Sequence, residues 1–578
     1  MNRRTFLKTA GALSLAAGLG GGAARAEILG APNAMRIDMK AVQNRNQNRS
    51  TVACRNGVVC ASQPMASICG VDILKAGGNA IDAAVCANAM LGLVEPMNCG
   101  PGGDLFAIVW IEKDKKLYAL NASGRSPYDW NLSEAQKRGL SAIPANNALA
   151  WNVPGCVSGW AALLQRFGSR PFGDVLAPAI GYAREGFVVS PIVSDDWGFG
   201  NDKDIATLTE TFGVDGKPPR FGDVFRNPDY ANSLELIARG GADAFYRGEI
   251  GEKIVKDAQT RGALLSMRDL HDHTADWVEP VSTNYRGHDV WEIPPNGQGI
   301  AVLQILNMLE QFDIGSLQPN SAEQLHLFVE AKKLAYEDRA VYYADPAMAD
   351  VPVEWLISKD YGKERAKLID PQKASARVVP GELRGSDTVY LTAADKDGNM
   401  VSLIQSIYGG WGSHIVPGKV GFCIQNRGES FSLDENHRNK LEGHKRPFHT
   451  IIPAFVTREG APVFSFGVMG GDFQPQGHSQ VLMDLIDFGM SPQQAGDQPR
   501  IEHTGSSEPT GEKMEAGGKI RFERRFPDEI KRKLADMGHA VREGEGAFGG
   551  YQGIWREEEP RRYFGGSDPR KDGCAIGY

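Results

Sequence analysis

The chain has no excess of positive charge and, beyond its first residues, no long apolar run. Its 578 residues include 63 Lys and Arg against 71 Asp and Glu, for a formal net charge of −8. Proteins that bind nucleic acid usually present a basic surface, so we predict no nucleic-acid partner. No stretch after the N-terminus reaches the about 18 apolar residues that span a bilayer, so we predict no membrane segment in the mature protein.

Cysteine is scarce, with eight residues in 578. No C-x-x-C pair occurs, and the histidines show neither H-x-x-x-H nor H-E-x-x-H spacing, so the sequence predicts no metal site and no cofactor. Most of the cysteines stand in apolar surroundings, where a buried thiol behaves as a small hydrophobic side chain. The eight cysteines are Cys54, Cys60, Cys69, Cys86, Cys99, Cys156, Cys423 and Cys574.

The N-terminus has the pattern of a targeting segment. A twin arginine, Arg3-Arg4, precedes a moderately apolar run, and Ala24-Arg25-Ala26 forms a small-x-small cleavage site. We therefore predict that residues 1–26 are a twin-arginine signal peptide and that the mature protein is periplasmic or secreted. The alternative is a frayed N-terminal helix.

Helical and strand-rich blocks alternate along the rest of the chain. Residues 66–75 and 80–93 have helical periodicity, with Asn79 placed to cap the second helix. A further helix begins after Ser321, and its apolar side chains from Leu325 to Ala335 fall on one stripe. Strands and glycine turns predominate from Thr388 to Phe466, and a helix is predicted at residues 478–488, followed by another strand and helix. Two helical blocks thus bracket two strand-rich blocks, which predicts a layered α+β or αββα fold.

Two other segments have simpler interpretations. The polar stretch 359–385 carries many Lys and Arg, so we predict that it is exposed and mobile. The glycine-rich stretch "GPGGD", residues 100–104, lacks the Gly-Lys-Ser/Thr ending and the following helix of a phosphate loop, so we interpret it as structural.

Thr388 stands where a strand begins. The strand leads into the turn Asp395-Lys396-Asp397-Gly398-Asn399, and a second strand follows. Asp and Asn tolerate left-handed backbone and Gly adopts it freely, so these residues suit a tight reversal. A β-branched residue is common at a strand start, and composition alone would assign Thr388 no other role.

Six motifs follow one another along nearly the whole mature chain. They are "AGGNAIDAAVCANAMLGLVEP", "VPGCVSGW", "VEAKKLAYEDRAVYYADP", "DTVYLTAADKDGNMVS", "GVMGGDFQPQGHSQVL" and "GGSDPRKDGCAIGY". Each is weak alone, but their order and spacing resemble the γ-glutamyltranspeptidases. The resemblance implies an N-terminal nucleophile hydrolase, an α+β protein built as an αββα four-layer sandwich.

The resemblance also implies a precursor that cuts itself before a threonine. The matching bond here is Asp387–Thr388, which separates a large subunit, 27–387, from a small subunit, 388–578. The two subunits are expected to form a heterodimer in one compact unit. The cut frees the α-amino group of Thr388, whose pKa of roughly 7.7–8.0 suits a general base for the threonine's own hydroxyl.

Further roles carry over position by position. Gly470-Gly471 matches the family's oxyanion-hole glycine pair, whose backbone N–H groups can approach a substrate closely. Ser406 stands where the family has a second threonine that hydrogen-bonds the nucleophile. Arg125 lies near the family's carboxylate-binding arginine, although the local spacing differs.

The chain departs from the family in the pocket for the γ-glutamyl group. Tyr408 replaces an asparagine, and "QNRGESF", which contains Arg427, replaces a stretch with an aspartate that grips the substrate ammonium. His449-Thr450 replaces a serine pair that binds the carboxylate. An acid is lost and a cation gained, so we expect an anionic acyl group without an ammonium to be preferred.

This pattern resembles a subgroup that includes oxamate amidohydrolase. The leading hypothesis is therefore a self-processing amidohydrolase that acts on a small carboxylate-bearing amide. Two alternatives stay open: a glutathione γ-glutamyltransferase or hydrolase, and an unprocessed periplasmic protein that binds a ligand without turnover. The sequence also leaves open whether residues 434–445 form a lid.

Overall fold

The computed structural model describes residues 48–199, 206–375, 387–544, 546 and 548–578. The predicted signal peptide lies outside the described residues. Among the described residues, no helix combines the length and the apolar character that crossing a bilayer requires.

The helices provide the outer layers of the molecule, and several begin at residues suited to capping. Asn79 caps its helix through the backbone N–H groups of Ile81 and Asp82, and Ser321 caps another through Gln324 N, as predicted. In chain order the helices are α1 (Pro64–Lys75), α2 (Ala80–Val94), α3 (Leu132–Lys137), α4 (Cys156–Phe167), α5 (Phe172–Glu185), α6 (Pro191–Asp196), α7 (Ala206–Phe212), α8 (Pro228–Tyr246), α9 (Glu249–Thr260), α10 (Met267–His271), α11 (Ile300–Leu309), α12 (Ala322–Tyr342), α13 (Val353–Leu356), α14 (Lys359–Ala366), α15 (Gln474–Ile486), α16 (Pro492–Asp497) and α17 (Asp528–Asp536).

The strands form two large sheets and two small ones. In chain order they are β1 (Val52–Cys54), β2 (Gly57–Ala61), β3 (Asp104–Ile111), β4 (Lys116–Ala122), β5 (Phe187–Val188), β6 (Val224–Phe225), β7 (Asp276–Val278), β8 (Val281–Tyr285), β9 (His288–Glu292), β10 (Asp387–Asp395), β11 (Met400–Tyr408), β12 (Ala454–Arg458), β13 (Ala461–Met469), β14 (Ile501–Thr504), β15 (Lys519–Phe522), β16 (Val541–Glu543), β17 (Gly550–Glu558), β18 (Arg561–Ser567) and β19 (Cys574–Gly577).

The two seven-stranded sheets lie face to face between helical layers. One has the order β19-β2-β10-β11-β3-β4-β7 and the other β1-β18-β17-β13-β12-β9-β8. Helices α1 and α2 pack on the first sheet, α11, α15 and α16 pack on the second, and β10 contacts β13 and β17 across the interface. This is the αββα sandwich that the sequence predicted.

Side chains of β10 alternate between two cores, as the period of a strand requires. Val389 and Leu391 pack toward the helices, whereas Tyr390 and Ala394 pack between the two sheets. Thr388 has the same parity as Tyr390. The strand therefore places Thr388 on the face that meets the other sheet.

The exposure predicted for 359–385 holds for most residues of its described part, 359–375, but that part includes an ordered helix. Lys359–Ala366 forms helix α14, in which Gly362 and Ala366 are buried. Arg365 pairs with Asp338 of the long helix α12, at 3.2 Å between Nη2 and Oδ1. Arg365 thus pairs with a neighbouring element, whereas Lys363 and Lys367 are exposed and pair with carboxylates of α14 itself. Residues 376–386 lie outside the described residues.

The cysteines follow the prediction of buried thiols. All eight are free in this structure, and six of them are buried. Burial raises the pKa of the Cys86 and Cys423 thiols well above their ordinary value, which keeps them protonated and unreactive.

Candidate active site

Strand β10 carries Thr388 toward the end of β13 in the opposite sheet. Further along β10, Thr392 Oγ1 lies 2.6 Å from Ser465 Oγ. The ring of Tyr390 packs so closely on Gly467 that an added Cβ would lie 2.5 Å from it. A step of two residues back along β10, from Thr392 to Tyr390, thus corresponds to a step of two residues forward along β13, from Ser465 to Gly467. The next step brings Thr388 to the last residue of β13, directly before the Gly470-Gly471 pair.

A β-bulge in β11 places Ser406 opposite Thr388. Val389 pairs with Gln405 and Asp387 pairs with Tyr408, so Ser406 and Ile407 together lie opposite the single residue between them. A bulge of this kind re-aims side chains locally. Thr388 is 2% exposed, and its hydroxyl donates to Ser406 Oγ at 3.4 Å. The structure therefore brings the predicted nucleophile and its predicted hydroxyl partner together.

Gly470 and Gly471 form a turn between β13 and the N-terminal end of α15. Their φ angles are 125° and 55°, in the region where a side chain is strained. A 3₁₀ turn, Gly471–Phe473, leads directly into the helix Gln474–Ile486. The partial positive charge of a helix N-terminus favours a developing anion nearby, which suits the predicted oxyanion role.

Arg427 joins Tyr408 and Thr450 in one wall of the site. Its Nη1 donates to Thr450 Oγ1 at 2.8 Å, and its guanidinium carbon lies 3.9 Å from the Tyr408 ring centroid. Because Tyr408 pairs with Asp387 in the strand ladder, this wall borders the residue before Thr388. Three predicted substrate-binding residues are thus assembled beside the nucleophile.

The Arg427 guanidinium is fully buried without a complete set of partners. It is 0% exposed, and its Nε and Nη2 have no hydrogen-bond partner among the described residues. Burial lowers the pKa of Arg427 to about 10, so the group stays charged at neutral pH. Nε and Nη2 form one edge of the guanidinium fork, which can bind a carboxylate through two parallel hydrogen bonds.

His449 is held by Asp104, a residue that sequence reasoning treated as structural. Burial, together with the nearby Arg427 charge, lowers the pKa of His449 to about 4, so the ring is neutral at pH 7. Its Nε2 donates to Asp104 Oδ2 at 3.0 Å, and its Nδ1 accepts from Ile451 N at 3.4 Å. Both ring nitrogens have protein partners, and a donor role toward substrate stays a prediction.

Asp104 is the first residue of β3, where it pairs with Ser406 in the ladder. Its Oδ1 accepts from Gly124 N at 2.9 Å, Gly155 N at 3.0 Å and Gln425 Nε2 at 2.9 Å. The only signal in the sequence was its position directly after a glycine pair. The stretch "GPGGD" is structural, as interpreted, because its glycines allow close backbone approach and its aspartate supports the site.

Gln298 was also missed, and it connects the Gly470-Gly471 turn to the wall that contains Thr450. Its Nε2 donates to Thr450 O at 2.7 Å and to Gly471 O at 2.9 Å. A lone glutamine in the loop "PPNGQG" carries no motif that would indicate such a role.

Arg125 is engaged elsewhere. Its Nη2 lies 3.0 Å from Asp276 Oδ2, and Arg446 Nη1 lies 2.7 Å from the same carboxylate oxygen. The two positive charges of Arg125 and Arg446 thus share the single negative charge of Asp276. The predicted role of Arg125 in binding a substrate carboxylate stays a prediction.

One group of residues within the described part of the chain has the composition of a metal site. His326, Glu330 and His539 bring one ligand atom each within 4.8 Å of one another. His326 Nδ1 and His539 Nε2 are hydrogen-bonded to each other at 2.8 Å, and Glu330 Oε1 accepts from Lys333 at 2.7 Å. These atoms already satisfy one another, and the ammonium of Lys333 disfavours a cation there.

The two-sheet sandwich with a threonine at the head of a central strand defines the class of N-terminal nucleophile hydrolases. The solved structure of cephalosporin acylase from Bacillus halodurans matches it with a TM-score of 0.85 and 40% sequence identity, over 92% of this chain and 97% of that one. A family model described as gamma-glutamyltranspeptidase matches residues 66–578. The chain belongs to the gamma-glutamyltranspeptidase family and is an amidohydrolase or acyltransferase of that kind.

Two curated relatives bear on the substrate. The glutathione hydrolase-like YwrD proenzyme of Bacillus subtilis is 40% identical over 542 residues, which is 92% of this chain and 100% of the relative. The oxamate amidohydrolase proenzyme of Klebsiella pneumoniae is 32% identical over 536 residues, which is 90% of this chain and 98% of the relative. The predicted family and fold are confirmed, and the oxamate subgroup stays a prediction.

Proposed function

We propose that this protein cuts itself at Asp387–Thr388 and then hydrolyses a small carboxylate-bearing amide of the oxamate type through an acyl-enzyme on Thr388. The observation that carries the substrate class is the buried Arg427, whose free Nε–Nη2 edge lies in the same site as the nucleophile. An anionic acyl group would supply the missing partner.

The self-cleavage uses groups at the bulge and one water molecule. Thr388 Oγ1 attacks the carbonyl carbon of Asp387, its proton passes to the amide nitrogen, and the peptide C–N bond breaks. The products are an ester on the threonine and a free α-amino group. Water then hydrolyses the ester, which leaves a carboxylate on Asp387 and an N-terminal Thr388. Ser406 Oγ, at 3.4 Å, holds the attacking hydroxyl in place.

Turnover repeats this attack on an external amide. The Thr388 hydroxyl attacks the amide carbonyl while the α-amino group takes its proton, and the oxyanion faces the backbone N–H groups of Gly470 and Gly471. The C–N bond breaks and the leaving amine departs with the proton. Water attacks the acyl-enzyme, which releases the carboxylate product and restores the hydroxyl. Transfer to an amine would use the same intermediate.

The charge of the pocket favours an anion over an α-amino acid group. An ammonium entering beside Arg427 would meet a like charge in a site shielded from water, where repulsion is strong. Glutathione cleavage is the second candidate function, because the relative with 40% identity is named glutathione hydrolase-like.

The further predictions from the sequence fit this proposal. Residues 27–387 and 388–578 would form the large and small subunits of a heterodimer, and residues 1–26 would direct export by the twin-arginine route to the periplasm or the medium. The glutathione hydrolase-like relative and the oxamate amidohydrolase relative are both named proenzymes, which supports cleavage of this chain into two subunits.

The first test is the intact mass of purified wild type and Thr388→Ala under denaturing conditions. We expect two fragments that meet at Asp387–Thr388 in the wild type and one chain in the variant. A single uncut chain in both samples would contradict self-processing and favour the ligand-binding alternative.

The second test compares oxamate with oxamide, which has the same size but a neutral amide in place of the carboxylate. We expect kcat/KM for oxamate to exceed that for oxamide by at least about 50-fold, because an unpaired buried cation penalises the neutral substrate. Glutathione is assayed in parallel. A higher kcat/KM for glutathione than for oxamate would replace the proposed substrate class with the second candidate.

A further inference from the structure

The turn that carries Gly470 and Gly471 is held from helix α12. Tyr336 and Arg339 lie one helical turn apart, so they face the same side. The Tyr336 hydroxyl donates to the carbonyl of Asp472, and Arg339 Nη1 donates to Asp472 Oδ1 at 2.6 Å. Asp472 directly follows the glycine pair. One helix therefore fixes both the main chain and the side chain of the next residue.

Gln298 extends this support to the wall that contains Arg427 and Thr450. Arg339 Nη1 donates to Gln298 Oε1 at 2.6 Å, which orients the amide. The amide Nε2 then reaches both the Gly471 carbonyl at 2.9 Å and the Thr450 carbonyl at 2.7 Å. The spacing between the glycine turn and the wall that carries Arg427 is thus set by one side chain.

Arg339 is suited to this task by its shape and not by its charge alone. It is 0% exposed, its Nη2 donates to Glu508 Oε2, and its guanidinium carbon lies 3.9 Å from the Tyr336 ring centroid. A planar fork can serve two carboxyl groups and an amide at once, which a lysine ammonium on a flexible stem does not reproduce.

We propose that Arg339 and Gln298 are positioning residues that aim the backbone N–H groups of the Gly470-Gly471 turn at the reacting carbonyl. An oxyanion site works only when its donors lie at 2.7–3.1 Å from the charge that develops. A displacement of about 1 Å costs up to about 100-fold in rate. This inference rests on the proposed catalytic role of the glycine pair, but it does not depend on which amide is the substrate.

The test uses the full-length protein and the variants Arg339→Lys and Gln298→Ala. Arg365→Lys is the matched control, because Arg365 also contacts α12 through an Asp338 carboxylate and a backbone carbonyl. Two readouts are taken. One is kcat and KM for oxamate and for oxamide. The other is hydrogen exchange of the backbone amides of residues 470–473.

We expect kcat to fall about 10- to 100-fold in both variants, by the same factor for both substrates, with KM within about threefold of the wild-type value. The amides of residues 470–473 should exchange at least about tenfold faster, because their support is lost. Arg365→Lys should change neither readout. A merely structural defect would instead lower the active fraction and leave kcat per active site unchanged.

Arg339→Lys with a wild-type kcat, or with a loss confined to KM, would overturn the inference, as would unchanged exchange in residues 470–473. Failure of the substrate proposal gives a different result. If the wild type turns over neither oxamate nor oxamide, the exchange rates still decide whether Arg339 and Gln298 hold the turn.

Discussion

At the scale of single residues, Arg427 combines a cost to stability with a role in specificity. Arg427 has no carboxylate partner within the described part of the chain, and such a buried cation destabilises the folded state, since its desolvation is only partly offset by Thr450 and the Tyr408 ring. Such a residue is retained when a ligand supplies the missing contacts. Stability and specificity should therefore change in opposite directions when it is replaced.

We predict that Arg427→Met raises the KM for oxamate about 10- to 100-fold, which corresponds to a loss of about 1.4–2.7 kcal/mol of binding. The same variant should be more stable to urea by about 1 kcal/mol or more, because an apolar side chain replaces an unpaired buried charge. Arg438→Met is the control, since Arg438 also stacks on a tyrosine, Tyr342, but at the surface. A lower stability together with an unchanged KM would contradict the assignment.

Ser406 offers a second test at this scale. Its hydroxyl accepts from Tyr408 N at 2.8 Å and from Thr388, so it holds the nucleophile against the strand. We predict that Ser406→Ala slows both self-cleavage and turnover about 10- to 100-fold, while Ser406→Thr retains both. Ser402→Ala is the matched control, because Ser402 lies on the same face of β11 and bonds Tyr390. Equal losses in the Ala and Thr variants at position 406 would argue against a hydroxyl role.

At the scale of elements, helix α12 shows that apolar periodicity does not predict which polar side chains are buried. Its predicted apolar stripe is buried, but so are His326, Lys332 and Arg339 outside that stripe. The helix is enclosed by other elements, and its polar side chains are satisfied by partners distant in sequence. A polar face in the sequence indicates solvent only when no other element covers it.

The contact of α12 with Glu508 predicts a pH dependence. Burial raises the pKa of Glu508 to about 8. The Arg339 charge lowers this pKa and the Asp472 charge raises it, and both effects are smaller than that of burial. The folded state therefore holds a proton that the unfolded state loses near its ordinary pKa of 4.5. Between these values the folded state binds more protons, so the free energy of unfolding falls as pH rises.

We predict that Glu508→Gln removes this contribution. Urea midpoints measured at pH 5 and pH 8.5 should differ less in the variant than in the wild type. Glu512→Gln is the control, because Glu512 is an exposed neighbour in the same loop. The same decline with pH in Glu508→Gln as in the wild type would show that other groups account for it.

At the scale of the whole molecule, both large sheets interleave strands from the two sides of the proposed cut. In the first sheet β10 lies between β2 and β11, and β11 pairs with β3. In the second, β12 pairs with β9 and β18 pairs with β1. Separating the two parts would expose unpaired strand edges and the core between the sheets.

We therefore predict that the cut chain stays together. The two fragments should co-elute at the size of the intact protein in native buffer, and they should separate only in denaturant. Thr388→Ala is the control for an uncut chain of the same size. Elution of free small subunit in native buffer would contradict the interleaved architecture.

The sequence by itself determined the family and the layered fold. Local strand and turn preferences predicted the hairpin that begins at Thr388, because they act over a few residues. The roles proposed for Thr388, Ser406 and the glycine pair came from the order of the family's motifs. The loss of an acid and the gain of Arg427 were also visible in the sequence as changes of charge.

Only the tertiary structure decided which distant side chains support that site. Asp104, Gln298, Arg339 and Glu508 come from separate segments and carry no local motif, so their contacts depend on how sheets and helices pack. The same holds for Arg125, whose pairing with Asp276 follows from the neighbouring strand β7. Burial, and with it the pKa of His449 and the missing partners of Arg427, is a property of the assembled fold, because desolvation depends on every element around a group.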